Sequence, residues 1–271
     1  MPKVSIIIPV YNSAEYIRRC LLSVASQKLT DLEVILIDNC GQDDSIDQVK
    51  RFIRHNRRQG ITYRIAATAT NNGPGQARNL GMQLATGEYV AFLDADDWIE
   101  PNMYELLYTK ANGADLCCGN LQQDYEDGRE SVVLTNTHMP QGVLTISMRK
   151  QVLRSFVAYF TTYIYRREWL MDNGITFPDS KSAEDSAFLT CCLLSAHRIE
   201  QTDTPLYHYV IHRGSLTARP VKKGADKRRS FRAVFAYAKR QGLYRMYRAQ
   251  LWFIYFKKAV LVPTVEYMVS K

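Results

Sequence analysis

No stretch of this 271-residue chain approaches the ~20 consecutive apolar residues that would span a bilayer. Met1-Pro2-Lys3 runs straight into a strand-like segment, so no signal peptide is expected. Metal-binding or disulfide spacing is also missing from the six cysteines, which stand at 20, 40, 117, 118, 191 and 192. Reduced thiols in a cytoplasmic compartment are the expectation. Acid is scarce in one region: between Lys222 and Lys258 twelve Lys or Arg face a single carboxylate, Asp226. That segment carries a net +11 within an overall +8, so the rest of the chain is mildly acidic at −3. No compact nucleic-acid-binding motif accompanies the basic residues, and no nucleic-acid partner is expected.

What is present is an ordinary globular composition, 46% hydrophobic and 23% charged, long enough for one large domain or one domain with an appended segment. Val4 to Ile8 is a continuous β-branched run, the pattern of a strand buried on both faces of a parallel sheet. Helical spacing follows at Tyr16, Ile17, Cys20, Leu21, Val24 and Ala25. Strands are predicted at Glu33–Ile37, Ile61–Ala67 and Tyr89–Leu93, and helices at Ser45–Arg57 and Pro74–Ala85. Such alternation predicts an α/β fold with an open, mostly parallel sheet flanked by helices. Ligands of these sheets bind beyond the carboxyl ends of the strands. Polar clusters fall at those ends: Pro9 to Asn12, Asp38-Asn39, and Asp94 to Asp97.

The last cluster places three carboxylates in four positions directly after an apolar strand. Charges this close repel unless a cation lies between them or their protons are held more tightly. A hard divalent ion, Mn²⁺ or Mg²⁺, suits carboxylate oxygens and commonly completes its coordination with substrate phosphates, which implies a diphosphate substrate. The competing reading is a solvated turn in which one Asp caps a helix begun by Pro101.

Four motifs in order resemble the family 2 glycosyltransferases: Val4-Ser5-Ile6-Ile7-Ile8-Pro9-Val10-Tyr11-Asn12; Ile35 to Asn39 with Asp43-Asp44-Ser45; Asn71 to Gly81 leading into Gly87 to Asp97; and Ala183-Glu184-Asp185-Ser186-Ala187-Phe188 after Gly174 to Phe177. The resemblance covers about residues 4–217 and implies the GT-A nucleotide-sugar fold, with donor binding in 1–100, the acceptor side in 101–219 and a basic, aromatic helical extension over 220–271. Two departures stand out. Asn39-Cys40-Gly41 follows Asp38 where relatives carry another acid and a Gly-Ser pair, and Phe156 to Arg167 lacks a Trp-rich segment.

The implied nucleotide-sugar site comprises Pro9, Tyr11, Asn12, Asp38, Asn72, Arg78, Asp94, Ala95 and Arg213, with Asp96 and Asp94 at the metal. Asp38 suits the imide N–H of a uracil and Asp94 a vicinal diol; a plain turn residue is the alternative for Asp38. Arg78, on a Gly-rich turn entering a helix, suits either an anionic ligand or an ion pair. Asp97 is expected to cap or orient its neighbours. Asp185 is the implied catalytic base, assisted by Glu184; the alternative is two acids favouring a helix N-terminus. His212 and Arg213 are candidate cations on a closing loop around Gly214.

These residues point to an inverting, metal-dependent glycosyltransferase using a UDP-sugar and a glycan or lipid-linked acceptor in surface polysaccharide synthesis. A metal-dependent nucleotidyltransferase and a catalytically silent membrane-associated scaffold are the alternatives. From Phe231 to Phe256 aromatics mix with Lys and Arg, as in a segment that meets an anionic membrane surface or packs as a helical pair on the body. Either way the expected location is cytoplasmic, with peripheral attachment to the inner membrane face under the first reading.

Overall fold

The structure, a computed structural model, describes residues 1–56, 58–135, 139–157, 159–212 and 224–261. Its first third alternates β1 (Val4–Val10), α1 (Ile17–Ala25), β2 (Leu32–Asp38), α2 (Ser45–His55), β3 (Ile61–Ala67), α3 (Pro74–Leu84) and β4 (Tyr89–Phe92). The sequence periodicity thus recovers these seven elements to within a few residues. Next come β5 (Trp98–Ile99), α4 (Met103–Ala111), β6 (Leu116–Tyr125), β7 (Val132–Leu134), β8 (Gly142–Val143) and α5 (Ile146–Ser155). The chain continues through β9 (Tyr163–Arg166), α6 (Arg167–Asp172), α7 (Glu184–Ser195), β10 (Arg198–Ile211), α8 (Gly224–Arg240), α9 (Tyr244–Tyr255) and a π-helical turn, Phe256–Leu261.

One sheet runs in the order β3-β2-β1-β4-β9-β6-β10-β5. Its β3-β2-β1-β4 half is parallel, in a register that aligns Val10 with Asp38 and Asp38 with Ala67. The carboxyl ends of these strands therefore share one edge, where the polar clusters lie. The other half is mixed: β9 runs antiparallel to both β4 and β6, while β6 and β10 are parallel. With helices on both faces, this is the expected GT-A architecture.

Alternation along β1 explains the two-sided core. Val4, Ile6, Ile8 and Val10 face a layer that includes Ile17, Cys20, Leu21 and Val24 of α1, while Ile7 faces the layer containing α3, α5 and α7. α3 lies so close to β1 that a Cβ at Gly81 would stand 2.3 Å from Ile7 Cγ2.

The C-terminal helices pack on the body. Phe231, Val234 and Tyr237 of α8, with Tyr247, Leu251 and Ile254 of α9, join the same core layer as Phe188 and Leu193 of α7. Polar ties reinforce the seam: Ser230 Oγ donates to Ser182 O at 2.8 Å, Ser180 Oγ donates to Asp226 O at 3.0 Å, and the Ser195 and Tyr237 hydroxyls meet at 2.6 Å. The outward faces are unusual. α8 exposes Arg228, Arg229, Arg232, Lys239 and Arg240, and α9 with its π turn exposes Arg245, Arg248 and Lys257. Among those cations stand Met246, Trp252, Phe253 and Phe256, each 43–50% exposed. No helix among the described residues is long and apolar enough to cross a membrane.

The Gly81 contact generates a direct expectation. Gly81→Ala gains ~1 kcal/mol of helix propensity but overpacks Ile7, so a net loss of about 1–2 kcal/mol is expected. Urea denaturation checks it as a lower midpoint at unchanged slope; a midpoint at or above wild type would mean that Ile7 gives way without cost.

Candidate active site

At the ends of β1 and β2 two loops knit together. Asn12, with φ +47°, accepts the Gln42 N–H on its Oδ1 at 2.8 Å, and Asp38 Oδ1 accepts the Cys40 N–H at 3.0 Å. Pro9, near the end of β1, is half-buried, whereas Tyr11 just beyond it is 48% exposed. Asn39, where the sequence departs from the family pattern, is buried: its Nδ2 donates to Asn71 Oδ1 at 3.2 Å and its Oδ1 accepts from Thr68 Oγ1 at 3.1 Å. It ties β2 to the turn before α3. Asn71 also accepts the Gly73 N–H, while exposed Asn72 donates its backbone N–H to Thr70 O at 3.1 Å and its Nδ2 to Thr70 Oγ1 at 3.0 Å.

Arg78 is the centre of the site. Its buried guanidinium meets Asp94 Oδ1 at 2.6 Å and Glu184 Oε1 at 3.8 Å, and it lies over the rings of Phe160 and Phe177 at 4.6 and 5.5 Å. One cation therefore joins the acidic turn after β4 to the acidic start of α7, 90 residues apart in sequence. Glycine allows this approach, since a Cβ at Gly75 would stand 3.2 Å from both Glu184 Cγ and Phe177 Cβ. Arg78 is thus paired with acids of the site rather than with a surface acid.

The turn itself is clamped to β10. Tyr207 Oη donates to Asp97 Oδ2 at 2.5 Å and accepts the Asp94 N–H at 3.3 Å, and the Val210 N–H donates to Asp97 Oδ1 at 2.9 Å. Asp97 is not a cap. The residue preceding α4 is Asn102, which makes no side-chain capping bond, and Asp97 is buried as a tie between the turn and the sheet. Burial, with Asp96 and Asp94 nearby, pushes its carboxyl well above the usual range. Ala95 is buried between its acidic neighbours.

Asp96 faces outward more than Asp97. Its Oδ2 is 3.1 Å from His212 Nε2, whose Nδ1 is 3.1 Å from the Tyr16 hydroxyl, and its backbone oxygen accepts from Arg19 at 2.8 Å. Burial and then Asp94 raise the Asp96 carboxyl, opposed by the His212 bond. No group of three or more His, Cys, Asp or Glu among the described residues is arranged as a metal cage. A carboxylate with an imidazole is nonetheless a donor pair that suits Mn²⁺, with substrate oxygens completing the shell. His212 in this position is what the sequence reading missed: it was legible only as a loop cation, because its partner lies 116 residues away. Arg213 lies outside the described residues.

Glu184 and Asp185 open α7 after Ala183, which adopts φ +58°. A left-handed alanine is strained, and such residues cluster where a chain must present side chains at a site. Glu184 is buried, and burial, then Asp185, raises its carboxyl while Arg78 lowers it. Asp185 is half-buried and accepts the Ser186 N–H at 2.6 Å. Clefts of about 370 and 380 Å³ lie between α1 and α2 and beside α5, and neither is lined by a residue of this constellation.

Residues 5–174 match the family model described as glycosyl transferase family 2. EpsH of Bacillus subtilis, a protein named as a glycosyltransferase, is 30% identical over 82% of this chain and 64% of its own length. Poly(ribitol-phosphate) beta-N-acetylglucosaminyltransferase TarS of Staphylococcus aureus is 31% identical over 79% of this chain, which spans 36% of that relative. The crystal structure of TarS residues 1–349 with UDP-GlcNAc superposes with a TM-score of 0.74 at 25% identity, covering 93% of this chain and 72% of that one. A mannosyltransferase of Pyrobaculum calidifontis with GDP-Man and Mn²⁺ shares the fold, at TM-score 0.60 and 17% identity over 100% of this chain and 81% of that one.

The buried tie yields a pH prediction. Because the Asp97 carboxyl is raised in the folded chain, the folded state holds that proton more tightly than the unfolded one. The resulting stabilisation is complete below the unfolded value of ~3.9 and is lost as pH rises through the folded value. Asp97→Asn has no such titration. In EDTA its unfolding free energy, relative to wild type, should climb as pH rises above about 4; a pH-independent difference would show that the Asp97 carboxyl is not raised by folding.

Proposed function

The chain belongs to glycosyl transferase family 2, and from that premise we propose that it is an inverting glycosyltransferase moving a sugar from a nucleoside diphosphate, with uridine as the base, to an acceptor hydroxyl. The observation that carries the reading is the Arg78 bridge, which brings the donor-side turn and the acceptor-side acids to one centre. UDP is favoured by the TarS complex with UDP-GlcNAc, a protein of similar fold and sequence over most of this chain.

In this reading residues 1–100 hold the donor and 101–219 the acceptor. Asp38 accepts the imide N–H of uracil, with Pro9 and Tyr11 beside the ring and Asn12 fixing their loop. Asp94, turned by Arg78, receives ribose or sugar hydroxyls; Ala95 spaces it from Asp96, and Asn72 and Arg213 are peripheral donor contacts. Asp96 and His212 would hold Mn²⁺ or Mg²⁺, with Asp94 beside them. The ion, when bound, offsets the negative charge that develops on the departing diphosphate. Asp185 takes the proton of the attacking hydroxyl, and Glu184 keeps Arg78 in place. A single base and no enzyme nucleophile give one displacement, hence inversion.

The acceptor is a glycan or a lipid-linked glycan in surface polysaccharide synthesis. Support for a membrane-borne acceptor comes from the outward faces of α8 and α9, where cations surround exposed Trp252, Phe253 and Phe256. Aromatics at the interface with cations reaching the headgroups would hold the protein on the inner face of an anionic membrane.

Calorimetric titration with UDP tests the donor assignment. Binding should require Mn²⁺, and Asp96→Ala should remove most of the metal dependence; equal affinity with Mn²⁺ and with chelator would rule Asp96 out as a ligand. Asp185→Asn should keep UDP affinity near wild type yet lose transfer by about 100-fold or more, and an active variant would remove Asp185 as the base. Vesicle flotation tests the surface. Binding is expected to phosphatidylglycerol-containing vesicles but not to pure phosphatidylcholine, to weaken in high salt and to fall in Trp252→Ala/Phe253→Ala; equal flotation by the variant would place membrane contact elsewhere.

A further inference from the structure

The acidic turn that supplies Glu184 and Asp185 lies beyond residues 5–174, the part matched by the family model. Much of what holds it comes from the C-terminal extension. α8 grips the preceding residues through the Ser230 to Ser182 bond and through the Asp226 carbonyl, which accepts from Ser180. The π turn after α9 then brings Lys258 to the same place from the other side. Lys258 Nζ donates to Ser186 Oγ at 3.4 Å and stands 4.3 Å from the centre of the Phe156 ring.

Charge compensation at this turn is divided. Arg78 lies against Asp94 and Glu184 and feels Asp185 less than either. The Lys258 ammonium makes no ion pair within 4 Å among the described residues; its link to Asp185 runs through Ser186, whose Oγ accepts from Lys258 and whose N–H donates to Asp185 Oδ1 at 2.6 Å. Burial lowers that ammonium to about 8, Asp185 opposes the shift, and neighbouring Lys257 adds to it. A half-buried cation whose contacts among the described residues are a hydroxyl and an aromatic face is costly unless a nearby negative charge compensates it.

We propose that Lys258 is a positioning residue of the active site: by holding Ser186, whose N–H donates to Asp185, it keeps that carboxylate oriented toward the acceptor hydroxyl. The proposal rests on Asp185 as the base. Asp185 next to Glu184 is a like-charge pair, and a base must reach its substrate as the carboxylate. Arg78 supplies the counter-charge on the donor side and Lys258 on the acceptor side. The extension is thereby part of the active centre as well as a surface for attachment.

Two measurements on the full chain test this. The first is an NMR titration of the Lys258 ammonium in wild type and in Asp185→Asn. The midpoint should lie at about 8 in wild type and fall in the variant; an unchanged midpoint overturns the proposal, whatever the protein transfers. The second is turnover of UDP-GlcNAc by wild type, Lys258→Met and Lys258→Arg. Lys258→Met should lower kcat by about tenfold or more with donor KM unchanged, and Lys258→Arg should restore it. Wild-type rate should fall above about pH 8 as Lys258 loses its proton, and that basic limb should be absent in Lys258→Arg. Wild-type kcat in Lys258→Met, or the same limb in Lys258→Arg, overturns the proposal. If wild type turns over no nucleotide sugar, the glycosyl-transfer reading fails while the titration still decides whether Lys258 and Asp185 are coupled.

Discussion

The buried guanidinium of Arg78 is the constraint on which the rest of the site depends. It lies between Asp94 and Glu184, flanked by two phenylalanine rings, and removing it would leave two acids facing each other with little solvent between them. Breaking a buried ion pair by deleting one partner typically costs ~3–5 kcal/mol, because the remaining charge has no compensation. Arg78 therefore supports the geometry of the site as well as its charge balance. It fixes how far the strand-end turn stands from the start of α7, and hence the width of the space between them.

A second layer of restraint acts from β10. Tyr207, Val210 and His212, within six residues at and just past the end of β10, each bond to an acid of the turn. Asp97 is wholly engaged in this tie, which leaves Asp96 as the more exposed of the two carboxylates. Three acids that look alike in sequence thus divide into three functions by burial: one bound to a cation inside, one to the sheet, one to an imidazole at the rim.

Much of this was legible in the sequence and some was not, for definite reasons. β1 to β4 and α1 to α3 follow from short-range periodicity, and the parallel register then aligns Asp38 with the end of β1 without further information. The carboxylates were recognisable because they interrupt an apolar run. The insertion of β9 between β4 and β6 left no local trace, since the choice of strand neighbour is made by tertiary packing. Contacts such as Arg78 to Glu184, His212 to Asp96 and Lys258 to Ser186 join residues 72 to 116 positions apart, beyond any periodic signal. Asn39 shows the same limit: it departs from the family pattern in sequence, yet in the fold it is a buried bridge between two loops.

The shared core of the body and the C-terminal helices has a consequence for how the protein is made. Tyr247, Leu251 and Ile254 complete the apolar layer over α5 and α7, and they leave the ribosome after nearly all of the sheet. Until they arrive, the inner faces of those two helices have no cover and present sticky surface to other chains. Folding of this half must therefore wait until α9 has been made, whereas the parallel half, whose contacts are nearer in sequence, can settle earlier. The parallel half would thus be shaped before the later half can close against it.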